Sequence, residues 1–313
     1  MEYRCRSPGS SRSGHAVPVA RESGPHRRRG RSCPEECVPA VKEEPARGHC
    51  MKDPEEKPKL FSSSLQRGLR ILDAFEYGHQ TLGLAELVSM TGIEKTAIQR
   101  FTRTLVAAGL LVKDPASRRY SPGPGLLRMG AIYLRGNQLI ERATPHILAC
   151  NRQLGLTVNM GVLDQGRLTV VVRAAGHEVV APNVTLGSSF PWHISAIGQA
   201  IVAHLPGDEA EELIRDVRYV AYASGSIMSR EELVARLETI RRDGVATTYH
   251  EIFEGDISVA APVFDASRRA VAAVNINVVR PGSRLEPEEQ HSLAQTVSNV
   301  ASTISVRGPW REK

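Results

Sequence analysis

The chain has 313 residues, 41% of them hydrophobic and 24% charged, with a formal net charge of +6. That length favours two domains with sizeable cores, and no run of about 18 apolar residues is present to cross a membrane. Residues 1–59 carry 13 Lys+Arg against 9 Asp+Glu, residues 60–128 carry 9 against 5, and residues 129–313 carry 18 against 20, so only the N-terminal portion suits a polyanion.

Residues 1–59 are rich in Arg, Ser, Gly, Pro and Glu and poor in large apolar residues. Such a segment cannot bury enough surface to offset ordering entropy and is expected to be disordered. Its arginines, Arg27-Arg28-Arg29 included, precede no apolar segment, so no export signal is expected and the protein should be cytoplasmic. Two readings of this tail stand side by side: its cations add sequence-independent affinity for DNA, or Met51 is the true start. Cys5, Cys33, Cys37 and Cys50 lie in the tail and Cys150 outside it, which is no disulfide framework. Cys33 and Cys37 with His26 and His49 are poorly spaced for a metal and lack a surrounding core, so no metal is expected.

A first domain is expected over residues 60–123. Ser62-Ser63-Ser64 caps a helix to about Tyr77, with Leu65, Leu69, Leu72 and Phe75 on its apolar side. Arg67 and Arg70 near its start are either phosphate contacts or solvated surface. Leu84, Leu87 and Val88 stripe a second helix, broken at Met90-Thr91-Gly92. A third helix runs from about Glu94 to Ala108. On a wheel of roughly 100° per residue, Ile98, Phe101, Leu105 and Ala108 share one arc and Lys95, Thr96, Gln99, Arg100 and Arg103 the opposite one. Three cations, an amide and a hydroxyl without a carboxylate suit phosphates and base edges in a major groove. The pair reads as a helix-turn-helix with its second helix as the reader. Taken alone, an amphipathic pair with a basic face is usually an ordinary solvated surface. The following hairpin shifts the balance: Leu110–Lys113, a turn through Asp114–Arg119 with Arg118 and Arg119 at its tip, and a return at Tyr120-Ser121 make a basic wing.

Residues 124–138 follow as a linker helix. Its apolar content (Leu127, Met129, Ala131, Ile132, Leu134) asks for a partner, read as a dimer contact. Residues 139–313 form the second domain. A helix to Leu154 closes at Gly155, and Thr157–Leu163 and Leu168–Arg173 make a hairpin through Asp164-Gln165-Gly166. Val179–Leu186 is expected as a strand and Ser195–His204 as a helix. Charged helices near 208–217 and 230–242 lead to three more strands, 245–250, 258–264 and 271–279, and a closing helix over 287–306. The fold class is α+β, a winged helix-turn-helix joined to an antiparallel sheet with added helices. Neither GxGxxG nor GxxxxGK[ST] is present, so no nucleotide cofactor is expected.

Over about residues 62–306 the chain resembles the IclR-type bacterial transcriptional regulators. The stretches that carry the resemblance are SLQRGLRILDAF, TGIEKTAIQRFTRTLVAAGLL, RRYSPGPGLLRMGAIYL, GSSFPWHISAIGQAIVA, EGDISVAAPVFDA and VAAVNINV, in order and at compatible spacing. The first also looks like the branch controlling aromatic-acid catabolism. The resemblance implies a GAF-like effector domain, an operator in double-stranded DNA, a small-molecule effector, and a homodimer or dimer of dimers. It also implies a pocket with Phe190, Ala196, Ile197, Thr248, Asp256, Ser258, Asn275 and Asn277 in its wall. Ser258 stands where many members have Cys, Thr248 where an acidic residue is common, Asn275 and Asn277 where serines are frequent, and Glu94 where proline is usual.

The residues themselves agree with a polar pocket. Asn275 and Asn277 alternate along a strand and share one face, where buried amides need partners, either a ligand or nearby backbone. The start of the helix at Ser195 and Ala196 has free N–H groups that suit a carboxylate. Trp192 and Phe190 are candidates to cover a ring, or core. The competing reading is a hydrolase built on His193, Ser195 and Asp256, but no GxSxG elbow supports it. A nonspecific DNA-compacting protein is the third. Deleting residues 1–50 is expected to leave folding and sequence-selective DNA binding unchanged. Circular dichroism and a mobility shift on the shortened chain check this, and insolubility or loss of selectivity would overturn it.

Overall fold

The computed structural model describes residues 60–75, 80–178 and 184–306. The expected disordered tail with its cysteines and histidines, and Tyr77, lie outside the described residues. In the N-terminal part, α1 (Ser63–Asp73), α2 (Leu84–Thr91) and α3 (Lys95–Ala107) are followed by the wing strands β1 (Leu111–Lys113) and β2 (Tyr120–Pro122). Ser62 caps α1 by accepting from the Leu65 N–H. Gly92 takes φ 66°, the left-handed turn that lets α3 leave α2 within a few residues. Leu82 bonds Tyr120 through both backbone groups, so the wing is tied back to the start of α2.

The core side of α1 differs from the expectation. Leu65 and Leu69 are exposed, at 64% and 38%, while Ile71, Ala74 and the amide-bearing Gln66 are buried. Leu72 and Phe75 are only half-buried against the core. The helix carries two neighbouring apolar rows, and the three-helix core takes the one holding its β-branched residue. Arg70 is not a surface cation either, since its Nη2 donates to the Thr91 carbonyl at the end of α2. On α3 the rotation is smaller: Ile98, Thr102 and Leu105 form the buried spine, Phe101 is half-buried and Ala108 exposed. Thr102 can lie inside because its hydroxyl donates to the Ile98 carbonyl at 2.8 Å.

Two helices, α4 (Gly125–Gly136) and α5 (Gln138–Leu154), lead into the second domain, with Asn137 capping α5 and Gly155 ending it. A six-stranded antiparallel sheet follows, ordered β5-β4-β3-β8-β7-β6. The strands are β3 (Thr157–Asp164), β4 (Arg167–Ala174), β5 (Ser189–Pro191), β6 (Ala246–Tyr249), β7 (Asp256–Phe264) and β8 (Ala270–Val279). The expected strand Val179–Leu186 is corrected where it is described: residues 179–183 lie outside the described residues, and Val184–Leu186 is irregular chain leading into a turn at Leu186-Gly187 before β5. The expected helix Ser195–His204 is present as the shorter α6 (Ala196–Val202), preceded by a separate 3-10 turn at Trp192–Ile194. A Cβ on Gly198 would run into the Trp192 backbone, so α6 packs against the chain that leads into it. The remaining helices are α7 (Gly207–Arg215), α8 (Arg230–Asp243) and α9 (Pro287–Ile304).

The sheet divides two cores between its faces. Met160, Val274 and Ile276 pack with Ile147 of α5 and Val297 of α9. On the other face Ala260 and Ala273 pack under α6, with Leu233 and Leu237 of α8 behind it. For the N-terminal core, Ile98→Ala is expected to cost about 2–5 kcal/mol. Phe101→Ala should cost less than the roughly 3–5 kcal/mol of a fully buried Phe. Guanidinium unfolding of both variants measures the order, and a larger loss at Phe101 would contradict this spine.

Candidate nucleic-acid interface and ligand cavity

The α3 helix turns Lys95, Thr96, Gln99, Arg100 and Arg103 to solvent together. The buried Ile98–Thr102–Leu105 spine fixes that orientation. Among the described residues, Lys95, Arg100 and Arg103 take part in no ion pair, so three cations stand uncompensated on one short face. Thr96 donates its hydroxyl to Glu94 at 2.7 Å, which leaves the hydroxyl oxygen as an acceptor.

The two wing arginines differ. Arg118 is exposed at the tip with φ 59°. Arg119 is fastened inward: its Nη2 pairs with Glu86 at 2.8 Å and donates to the Thr81 carbonyl at 2.9 Å. Its Nε donates to the Thr81 hydroxyl at 3.0 Å. Asp114 starts the wing turn, where donation from the Ser117 hydroxyl and the Ala116 and Ser117 amides holds its carboxyl below the usual range. Its negative charge is therefore engaged inside the turn.

All eight residues expected in the pocket wall border one open cavity. It lies on the sheet face that α6 covers only in part. Strand register lines up its floor: Arg173 faces Asn159, Asn159 faces Asn275, and Asn277 faces Ser258. These side chains are joined. Arg173 Nη1 donates to Asn159 Oδ1 at 3.0 Å. Asn159 Nδ2 donates to both Asn275 and Asn277 Oδ1 at 3.0 Å. Asn275 Nδ2 donates to Ser258 Oγ at 2.7 Å and to Asn277 Oδ1 at 2.8 Å. Asn277 Nδ2 donates to Asp256 Oδ1 at 2.7 Å. Burial pushes the Asp256 carboxyl up to about 6, opposed by the Asn277 bond and the charges of His250 and Arg173. Burial lowers the Arg173 guanidinium, and Asp256 partly offsets this.

Phe190 and Phe253 meet edge to face at 6.1 Å on the apolar side of the cavity. Trp192 is 3% exposed and belongs to the core under α6, not to the cavity wall. Arg173, Asn159 and Phe253 are wall residues that sequence reasoning missed. Asn159 and Arg173 did leave a signal as polar residues inside β-branched strands, but only the pairing register brings them opposite one another.

The hydrolytic arrangement is absent among the described residues. His193 is buried, packs edge to face on Trp192 and Tyr219, and makes no bond to Ser195 or Asp256. Its Nε2 has no partner. Behind the cavity, Glu251 is 3% exposed and receives Arg236 at 3.0 Å and Gln199 at 2.9 Å. Burial pushes its carboxyl up against the pull of those two donors. The Gln199 amide also donates to the His193 carbonyl at 2.8 Å, so α6, α8 and the loop before β7 share one buried polar joint.

Comparison with known proteins identifies both halves. Residues 64–115 match the IclR helix-turn-helix domain, and residues 131–306 match the C-terminal domain of bacterial IclR transcriptional regulators. The chain is 30% identical over 247 residues to the glycerol operon regulatory protein of Streptomyces coelicolor, covering 77% of this chain and 94% of that one. It is 28% identical over 218 residues to the Pca regulon regulatory protein of Pseudomonas putida, covering 69% and 74%. The crystal structure of an IclR transcriptional regulator from Alicyclobacillus acidocaldarius superposes with a TM-score of 0.68 at 25% identity, over 78% of this chain and 98% of that one.

Burial pushes the His193 imidazole down from 6.5 to about 4. A group depressed in this way keeps its full contribution to stability above its unfolded value and loses it as the pH falls toward the folded one. The wild-type melting temperature is therefore expected to drop relative to that of His193→Gln between pH 6.5 and 4. Asp256 works in the opposite sense but is common to both proteins and cancels in the difference. Parallel melting curves across that window would show that the ring is not held neutral.

Proposed function

Because the chain belongs to the IclR family of bacterial transcriptional regulators, we propose that it binds an operator through α3 and answers to a small organic acid bound over the sheet. The observation that carries the first half is the uncompensated face of α3. Lys95, Arg100 and Arg103 supply charge for phosphates, and Gln99 and Thr96 supply bifunctional groups for base edges. Arg118 extends the interface from the wing tip to the DNA backbone. Arg119 serves the domain first, as the tie between wing and α2, and reaches DNA only by sharing its guanidinium.

The cavity supports the second half. It is open, it has an apolar wall in Phe190 and Phe253 that suits a ring, and its floor is a continuous row of polar side chains. Ala196 and Ile197 close the end nearest α6, and Thr248, Asp256, Ser258, Asn275 and Asn277 supply the polar floor. The edge-to-face pair of Phe190 and Phe253 favours an aromatic acid. Such a ligand shifts the DNA-competent population by binding one arrangement of the protein better than another.

A homodimer fits the outer surface of the N-terminal part. Leu127, Met129, Ile132 and Tyr133 on α4 are 76%, 56%, 62% and 48% exposed, and Leu65 on α1 is exposed as well. Several large apolar residues on one short helix want a partner. Two chains related by a two-fold axis would place two α3 helices on successive turns of a palindromic site.

Arg100→Ala and Arg103→Ala are expected to weaken binding to a palindromic duplex while leaving melting unchanged, since neither touches the α3 spine. Where the arginine pairs with a phosphate, its removal should flatten the slope of log affinity against log salt by about one unit. Fluorescence anisotropy across a salt series measures this and gives the stoichiometry, expected to be two chains per palindrome. Full affinity in both variants would remove α3 as the reader.

A further inference from the structure

We infer that Arg173 is the carboxylate anchor of the cavity and Asp256 the acceptor for a hydroxyl at the ligand's other end, so that the effector is a hydroxycarboxylic acid. The inference rests on the reading of the cavity as an effector site and names what that site selects. Three observations carry it.

The first is that all but one of the amide N–H groups are occupied. Asn159 spends both on Asn275 and Asn277, Asn275 spends both on Ser258 and Asn277, and Asn277 spends one of its two on Asp256. They form a spacer, not a free set of donors. The start of α6, where Ala196 and Ile197 border the cavity, offers backbone N–H groups but no charged side chain.

The second is that Arg173 is the one Lys or Arg among the described residues of the cavity wall. It sits half-buried at the edge of the amide row, where burial disfavours its charge. Among the described residues no carboxylate lies within ion-pair distance of it, and its one hydrogen bond runs from Nη1 to Asn159. A partly desolvated guanidinium with most of its fork unused is short of an anion. A ligand carboxylate supplies both the charge and the planar pair of acceptors that the fork fits.

The third is polarity. From Arg173 through Asn159 and Asn277 every bond donates in the same direction and ends on Asp256 Oδ1. Among the described residues the other oxygen of Asp256 receives no donor. One end of the row therefore offers donors and the other an acceptor. A ligand lying along it needs an anion at the first end and a donor at the second. Glu178, exposed at the cavity rim, adds negative charge that disfavours a second carboxylate on the ligand.

The test is calorimetric titration of the full chain with hydroxycarboxylates from lactate to 4-hydroxybenzoate, each beside its neutral amide, and with benzoate. At least one acid is expected to bind, with its amide tenfold weaker or worse. Arg173→Met should lose most of the affinity for the acid and leave that for the amide within about threefold, so that the preference disappears. Arg173→Lys, which keeps the charge without the fork, should fall between. Asp256→Asn should erase the advantage of 4-hydroxybenzoate over benzoate while keeping the preference for acid over amide. DNA binding and melting of each variant without ligand show that it is folded. An acid that binds wild type and Arg173→Met alike would overturn the anchor and leave the effector reading standing. Binding of amides in preference to acids would do the same. No binding by any member of the panel would remove the effector reading and this inference together.

Discussion

Alternation along β8 governs the second domain. Val274, Ile276 and Val278 point to one side, where α5 and α9 bury them, and Asn275 and Asn277 point to the other. A one-residue slip of that strand would drive two amides into a dry core and bring three valine-sized side chains into the cavity. Such a slip leaves buried polar groups without partners, each worth about 1–3 kcal/mol. The register of β3 and β7 against β8 is fixed from both sides by this arithmetic, and with it the meeting of Asn159, Asn275, Ser258 and Asp256. The cavity floor and the core beneath it are therefore specified together.

The same logic shows why part of the structure was legible in the sequence and part was not. Where a segment is long and its period plain, as for α3, α5 and the β3–β4 hairpin, one-dimensional reasoning placed it within a few residues. It failed on α1, because two apolar rows lie side by side there and only the neighbouring helices choose between them. The choice of Ile71 and Ala74 over Leu65 and Leu69 is a tertiary decision. It failed again at Val184–Leu186, expected as the end of a strand, where the chain is irregular and turns at Leu186-Gly187. The polar floor was half visible. Asn275 and Asn277 stand out within an apolar strand, whereas Arg173 gains its meaning only from lying opposite Asn159 across a register that no single strand records.

Arginine makes the general point in both domains. A count of positive charge treats Arg70, Arg100, Arg119 and Arg173 alike. The structure gives them four different tasks. Arg70 holds the end of α2 through the Thr91 carbonyl, Arg119 braces the wing against Glu86, Arg100 faces solvent on α3, and Arg173 borders the cavity. What separates them is the number of acceptors already in reach. A guanidinium with its fork filled is structural, and one with its fork open is available to a polyanion or to a small acid according to how much water surrounds it.

A ligand entering this cavity meets a polar row that is already bonded. It gains little from the amides, because all but one of their N–H groups are bonded and breaking one amide–amide bond to make an amide–ligand bond returns little. Its free energy has to come from the ends of the row and from the apolar wall. The ends are charged, so the bonds there are the stronger, charge-assisted kind, and they are partly desolvated, so water competes less for them. The wall contributes in proportion to apolar area and is indifferent to chemical detail. Selectivity and affinity then come from different parts of the same site. On the proposed reading, Arg173 and Asp256 decide which functional groups are accepted, Phe190 and Phe253 decide how large a body is held, and the amide row between them sets the spacing at which both ends can be met.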